Sequence, residues 1–268
     1  GDTVARSRCL RETIRSEGIS KYNVVGRPFE RPAAAGDRPV VLALGQVPED
    51  LSLRDGLSPF GGDAVAFLEA VRAARPDAFL VFKEHPELAQ RFRPGWLEPK
   101  EVAGLVDLFV KEGDTAAMLP AVDEVHVMTS LAGFEALVHG RRVTCWGLPF
   151  FAGWGLTEDR VACPRRTRRR TLDELVAAAL IRYPIYVEPL SGVPCTPEEA
   201  VESLARARRE AAVRGGFRLS TPFSPVYRWH SIATAHLRQP FVVAPRRRGR
   251  GRKAELAHAG GSQTGWTS

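Results

Sequence analysis

HVMTSLAGFEALVHGRRVTCWGLPFFAGWGLTED, residues 126–159, is the stretch whose reading decides the fold. Its first five residues finish an apolar strand and run into a polar turn. LAGFEALVHG (131–140) has helical spacing and closes on Gly140, the residue type that ends helices in the left-handed conformation. VTCWG (143–147) is a second short apolar run, and a loop rich in glycine and aromatics follows. Strand, helix and strand in that order make one unit of a parallel sheet.

The same rhythm continues on either side. VVLALG (40–45) is a continuous apolar run of the kind buried on both faces of a parallel sheet. A helix over 63–75 follows, with Val65, Leu68 and Val71 on one face and Phe67 beside them. AFLVFKEHP (78–86) and DEVHVMTS (123–130) are two further strands, with a short helix or loop at roughly 99–108 between them. The fold class is therefore α/β, a Rossmann-like parallel sheet covered on both faces.

Residues 2–17 read as a first helix, KYNVVGRP (21–28) as an extended segment, and RPAAAGDRP (31–39) as a linker. Downstream, Thr171 with Glu174 and Thr196 with Glu199 form two capping boxes, the second with Pro197 in the first turn. Leu172, Leu175, Val176, Ala179 and Leu180 stripe one helix; Val201, Leu204 and Ala205 stripe the other. Beyond residue 213 the pattern dissolves into RRRGRGRK and AGGSQTGWTS, read as a disordered basic tail. The expected division is 1–38 (helix and linker, the remnant of a preceding half), 39–213 (the Rossmann-like domain) and 214–268 (the tail).

The net charge of +7 over 268 residues is a property of that tail. Residues 214–268 hold ten Arg and Lys against one acid, Glu255, a net +9, which leaves −2 for residues 1–213. A nucleic-acid-binding body carries its own basic face, so nucleic acid is not an expected partner. Cys9, Cys145, Cys163 and Cys195 are dispersed without a CxxC pair, which predicts reduced thiols and no metal site. No apolar run approaches the roughly 20 residues of a membrane span, and the charged start is unlike a signal peptide. The chain begins at Gly1, as expected of a fragment or processed product. Fingerprints for dinucleotides, Walker-type phosphate loops, zinc proteases and serine hydrolases are absent.

In an open parallel sheet, ligands sit at the carboxyl ends of the strands. Three such ends are polar: GQVPED (45–50), KEHPE (83–87) and MTSLAG (128–133). Thr129 and Ser130 stand at a helix start, either as plain caps or as part of an anion site; Ala132 and Gly133 would let a ligand approach. His85 ahead of Pro86 is either a phosphate contact or a histidine satisfied by a carbonyl, and Lys83 could serve an acidic ligand. After Gln46, Glu49 and Asp50 offer a carboxylate nucleophile or base, or else an ordinary turn. His126 reads as a satisfied core histidine and His139 as a residue suited to a helix dipole. Asp55, Asp63 and Glu69 read as helix-start or surface acids. Phe150, Phe151 and Trp154 among Gly147, Gly153 and Gly155 form a flat wall for a sugar or pack the loop on the core. PRRTRRR (164–170) is a contact for carboxylates or lipid phosphates, or a solvated run.

TSLAGFEAL followed by GLPFFAGWGLTED resembles the KpsC-type capsule polysaccharide proteins. These are bacterial β-Kdo transferases that use CMP-Kdo to build a Kdo linker on a lysophosphatidylglycerol acceptor. KYN (21–23), GQVPED, the His-Pro pair and LDELVAAALIRYPIYVEP (172–189) extend the likeness from about Lys21 to about Leu204. The resemblance implies the donor-binding half of a GT-B-like glycosyltransferase. It places the CMP phosphate against His85, Pro86, Thr129 and Ser130 and matches the Gln46–Asp50 pattern; with Lys83, Leu131, Ala132, Gly133 and Trp154 from the strand ends and the aromatic loop, these make the expected CMP-Kdo site, with Asp50 and His85 catalytic. It further implies a retaining mechanism and no cofactor, with CMP-Kdo as donor substrate. It implies a lipid-linked Kdo acceptor, capsule export machinery as partner, and a place on the cytoplasmic side of the inner membrane. Activity is expected only within a longer chain; the alternative is a truncated CMP-sugar-binding module without catalysis. The sequence departs from the family at KEHPE, where KPHPD is usual, at Pro48, and at Trp146 and Phe151, where tyrosines are usual.

Overall fold

The structure is a computed structural model, and it describes residues 2–21, 28–90, 94–188 and 192–213. The expected tail and most of KYNVVGRP lie outside the described residues. Six strands form one sheet: β1 (Val40–Leu44), β2 (Phe79–Lys83), β3 (Leu108–Val110), β4 (Glu124–Val127), β5 (Arg142–Cys145) and β6 (Glu158–Asp159). Their spatial order is β3-β2-β1-β4-β5-β6, and every pairing is parallel. That is the Rossmann order, with the reversal of direction between β1 and β4.

The residues dictate this arrangement through alternation. Val40, Leu42 and Leu44 of β1 face one hydrophobic cluster, and Val41 and Ala43 face the other. Phe79 and Val81 against Leu80 and Phe82 repeat the pattern on β2. A strand with no polar face has to be covered on both sides. One cover is α3 (Ala64–Ala74), which buries Phe67, Leu68 and Val71, together with α2 (Leu51–Asp55) through Leu53. The other is α6 (Ala132–Val138), whose Phe134, Ala136, Leu137 and Val138 join Met118 of α5 (Thr115–Met118) and Val176 of α7 (Leu172–Val176). Asp63 caps α3 by accepting from the amides of Val65 and Ala66. Gly140, at φ +74°, terminates α6 as its sequence predicts.

Two strands of the main sheet escaped the sequence. The segment expected as a helix or loop at 99–108 contains a single turn, Pro99–Val102, and then β3 begins at Leu108. β3 is a three-residue, half-buried edge strand, and β6 has two residues. Neither is long enough to show a period.

The flanking helices form a separate small cluster. α1 (Asp2–Ser16) and α8 (Pro197–Val213) meet through Leu10, Ile19, Val201 and Ala205. Leu204 is 40% exposed, so the expected stripe on α8 is Val201 and Ala205 alone. Ser7, fully buried, hydrogen-bonds the Asp173 carbonyl at 2.7 Å, and Arg8 and Arg11 grip the Asp173 carboxylate. Both capping boxes are made: Thr171 with Glu174, and Thr196 with Glu199. A π-helical turn, Ala177–Arg182, continues α7 towards a hairpin of β7 (Tyr186–Val187) and β8 (Pro194–Cys195).

Candidate active site

The polar ends of β2, β1 and β4 are neighbours, and the crevice between β1 and β4 is where the strand order reverses. Gln46 spans that crevice. Its Oε1 accepts the Thr129 amide at 3.2 Å, which fixes which way the side-chain amide points. Its Nε2 lies 3.0 Å from Asp50 Oδ2, 2.8 Å from Ser52 Oγ and 2.8 Å from Thr129 Oγ1. An amide has two hydrogens, so three oxygens share them. The Ser52 and Thr129 hydroxyls also bond each other at 2.9 Å. Gln46 and Thr129 are buried, at 3% and 7% exposure, so this network is a fixed frame.

Asp50 hangs from the frame into solvent. It caps α2, accepting the Ser52 amide at 2.9 Å. Partial burial pushes its pKa up, but the bonds from Ser52 and Gln46, helped by the charge of Lys21, outweigh it and hold the carboxyl below its ordinary value. Asp50 is therefore an oriented anion at neutral pH.

His85 follows β2 and caps α4 (Pro86–Ala89), with Pro86 in its first turn. Its Nδ1 accepts the Glu87 amide at 3.2 Å. An accepting Nδ1 puts the proton on Nε2. Burial, with Lys21 and Lys83 adding to it, pulls the His85 pKa down against Glu87 and Asp50. The ring is a neutral imidazole with an Nε2–H donor. Gly45 lets the end of β1 approach this turn: a Cβ there would stand 3.2 Å from the His85 backbone nitrogen.

The remaining candidates divide. Lys83 is 2% exposed and donates to the carbonyls of Glu84 and Lys111, at 2.9 and 3.0 Å. Burial lowers its pKa to about 8. Ser130 accepts the Ala132 amide at 3.3 Å, and Leu131 is 40% exposed at the head of α6. Gly133 is turned inward: the place of its missing Cβ lies 2.7 Å from the Phe151 ring, so the glycine admits Phe151. Phe151 is fully buried, whereas Phe150 is 44% exposed. Trp154 donates to the Phe150 carbonyl at 2.8 Å and lies under Arg166, which itself bonds the carbonyls of Pro149 and Ala152. The aromatic loop and one arginine of PRRTRRR thus clamp each other. Gly147 has its own close approach, its missing Cβ lying 2.8 Å from the Gly56 carbonyl and 2.8 Å from Thr129 Cγ2.

His126 is the satisfied core histidine its place in a strand predicts. Its Nδ1 accepts from Trp146 Nε1 at 3.1 Å and its Nε2 bonds Glu124 at 2.8 Å. His139 differs from expectation. Burial, with Arg15 and Arg141, lowers its pKa, so it brings no charge to the helix dipole. Arg141 covers the helix-end carbonyl instead.

Three contributors escaped the sequence. Ser52 completes the frame from the first turn of an unforeseen helix. Lys21 brings a charge to Asp50 and His85 from a loop far away in sequence. Glu135, largely buried, accepts the Lys21 amide at 2.6 Å, and burial raises its pKa to about 7. Ser52 stands two residues beyond a capping Asp, the usual place of the amide that such a cap holds; Lys21 stands out only as part of KYN, and nothing local marks Glu135.

A Rossmann-ordered sheet with its polar groups gathered across the switch point defines an α/β protein with a candidate ligand site at its strand ends. The chain belongs to the capsule polysaccharide biosynthesis protein family, whose model matches residues 13–192. It is 40% identical over 199 residues to the capsule polysaccharide modification protein LipA of Neisseria meningitidis serogroup B, covering 74% of this chain and 28% of LipA. Among solved structures it resembles two of Thermosulfurimonas dismutans KpsC, each 34% identical. With the β-Kdo 2,7 transferase the TM-score is 0.65, over 78% of this chain and 62% of that one. With the β-Kdo 2,4 transferase it is 0.66, over 76% and 63%. The chain therefore spans little more than a quarter of LipA and under two thirds of each KpsC structure.

Proposed function

We propose that this chain is the donor-binding half of a retaining β-Kdo transferase of GT-B type, acting in capsule polysaccharide biosynthesis as part of a longer polypeptide. The donor is CMP-Kdo, and the acceptor is a lipid-linked Kdo on lysophosphatidylglycerol. The observation that carries the reading is the pairing, at adjacent strand ends, of an oriented carboxylate with a neutral histidine donor. The names of the two KpsC structures support the choice of sugar.

In this reading Asp50 attacks the anomeric carbon of Kdo, and the bond to the CMP phosphate breaks. His85 donates its Nε2–H to the phosphate oxygen on which charge develops. The sugar is then held as an ester of Asp50. An acceptor hydroxyl, giving up its proton to solvent water, attacks the same carbon and frees the carboxylate, so two inversions give net retention. Gln46 and Ser52 keep the carboxylate aimed. No cofactor or metal enters these steps. The site of action is the cytoplasmic face of the inner membrane, beside the export machinery.

The test is mass spectrometry of the full-length protein with CMP-Kdo and no acceptor. The expected result is CMP release and one Kdo residue attached at Asp50. Full activity in Asp50→Ala would remove the nucleophile assignment. CMP binding without turnover, in a full-length protein with both residues intact, would leave a binding module instead.

A further inference from the structure

The last turn of α1, α5, the end of α6 and α8 line an open pocket of about 550 Å³ that shares no lining residue with the strand-end site. That is within the usual size of small-ligand sites. Three of its lining residues are arginines from three separate elements: Arg15, Arg141 and Arg208. The acid among the lining residues, Glu17, is paired with Arg209 at 2.7 Å. Arg208 is drawn into place by Asp114, 3.5 Å away, and lies over Gly18, whose missing Cβ would stand 3.3 Å from it.

His139 supplies an independent sign. It lines the same cavity, and its Nε2 is buried without a hydrogen-bond partner. Native structures pair such atoms, with protein or with something bound. A neutral imidazole flanked by arginines suits an anion with several acceptor oxygens.

We propose that this cavity is a second binding site, for a phosphate-bearing ligand, separate from the strand-end site. Arg15 and Arg208 neutralise the phosphate, and His139 Nε2–H donates to one of its oxygens. Arg141 is anchored by its bonds to the carbonyls of His139 and Val122 and contributes its remaining edge. The shared chemistry is a phosphate ester, and its source is either a soluble phosphate compound or the headgroup of an anionic lipid. The site does not depend on the transferase reading.

The experiment uses the full chain. Inorganic phosphate and glycerol phosphate are titrated while the histidine ring resonances are followed; His139→Gln identifies the His139 signal among the six histidines. Saturable movement of that signal is expected, weakened roughly tenfold in Arg15→Gln, the usual worth of one charge-assisted contact. A second arm measures flotation with phosphatidylglycerol vesicles against phosphatidylcholine vesicles. Because residues 214–268 carry their own net +9, the reading is the difference between wild type and Arg15→Gln. Weaker flotation of the variant assigns a lipid headgroup; equal flotation with a soluble response assigns a soluble phosphate. A His139 signal that phosphate does not move, together with equal flotation, overturns the site. So does a response that Arg15→Gln leaves unchanged, which would make the arginines simple partners for helix-end carbonyls.

Discussion

In the proposed reading Asp50, Gln46 and His85 divide the work of one site, and single changes separate their roles. Asp50→Ala in the full-length protein should reduce transfer by about three orders of magnitude or more, while CMP affinity stays within about twofold, because only the transition state loses an interaction. Ser52→Ala removes a hydroxyl that holds the frame but touches no ligand in this reading. It should lower kcat roughly tenfold with little change in KM, since it loosens the aim of Asp50 without altering donor binding. His85→Ala should weaken CMP binding about tenfold, measured by calorimetry; unchanged affinity would remove histidine from the phosphate. Much of this was legible at residue level. Gln46, Asp50, His85 and Thr129 are visible because each stands at the end of an apolar run. Lys83 is visible for the same reason, but two of its three ammonium hydrogens go to carbonyls, and no pattern of letters shows where a long side chain turns.

At the scale of elements, α6 illustrates how packing reassigns a residue. Gly133 reads as space for a ligand, and it proves to be space for Phe151. Gly133→Ala would gain about 1 kcal/mol of helix propensity. It would also drive a methyl into Phe151 and Val127, at 2.7 and 2.9 Å, both fully buried. Overpacking of that kind costs about 1–3 kcal/mol, so a net loss in urea denaturation is expected. An unchanged or raised midpoint would show that the ring moves freely. The helices with capping boxes were readable because a cap is a local device, settled within four residues. Short strands β3 and β6 were not readable, because two or three residues acquire strand geometry only from a neighbour that is already in place.

At the scale of the molecule, Glu135 ties α6 to the loop after α1, and its cost depends on pH. Its pKa rises from 4.5 to about 7 on folding, chiefly through burial. The folded state therefore holds a proton that the unfolded chain has released. Stability is greatest below the lower value, falls as pH rises between the two, and levels off above the higher. Glu135→Gln keeps an acceptor for the Lys21 amide and removes the titration. It should match wild type near pH 5 and exceed it by about 1–3 kcal/mol near pH 8, as read from denaturation at the two pH values. A wild-type stability that is flat across this range would show that the carboxyl stays ionised.

The sequence by itself determined the α/β class, the order of the main strands and helices, the capping boxes, and the three polar strand ends. These depend on periodicity and local chemistry, which the chain carries at every position. Tertiary structure alone decided that β2, β1 and β4 lie side by side, that Gln46 bridges the reversal in strand order, and that Lys21 and Glu135 come beside it. Contacts across 83 and 114 residues have no local signature. They arise because a sheet apolar on both faces over most of its strands must be covered on both sides, and covering it carries the polar ends of distant strands to one edge.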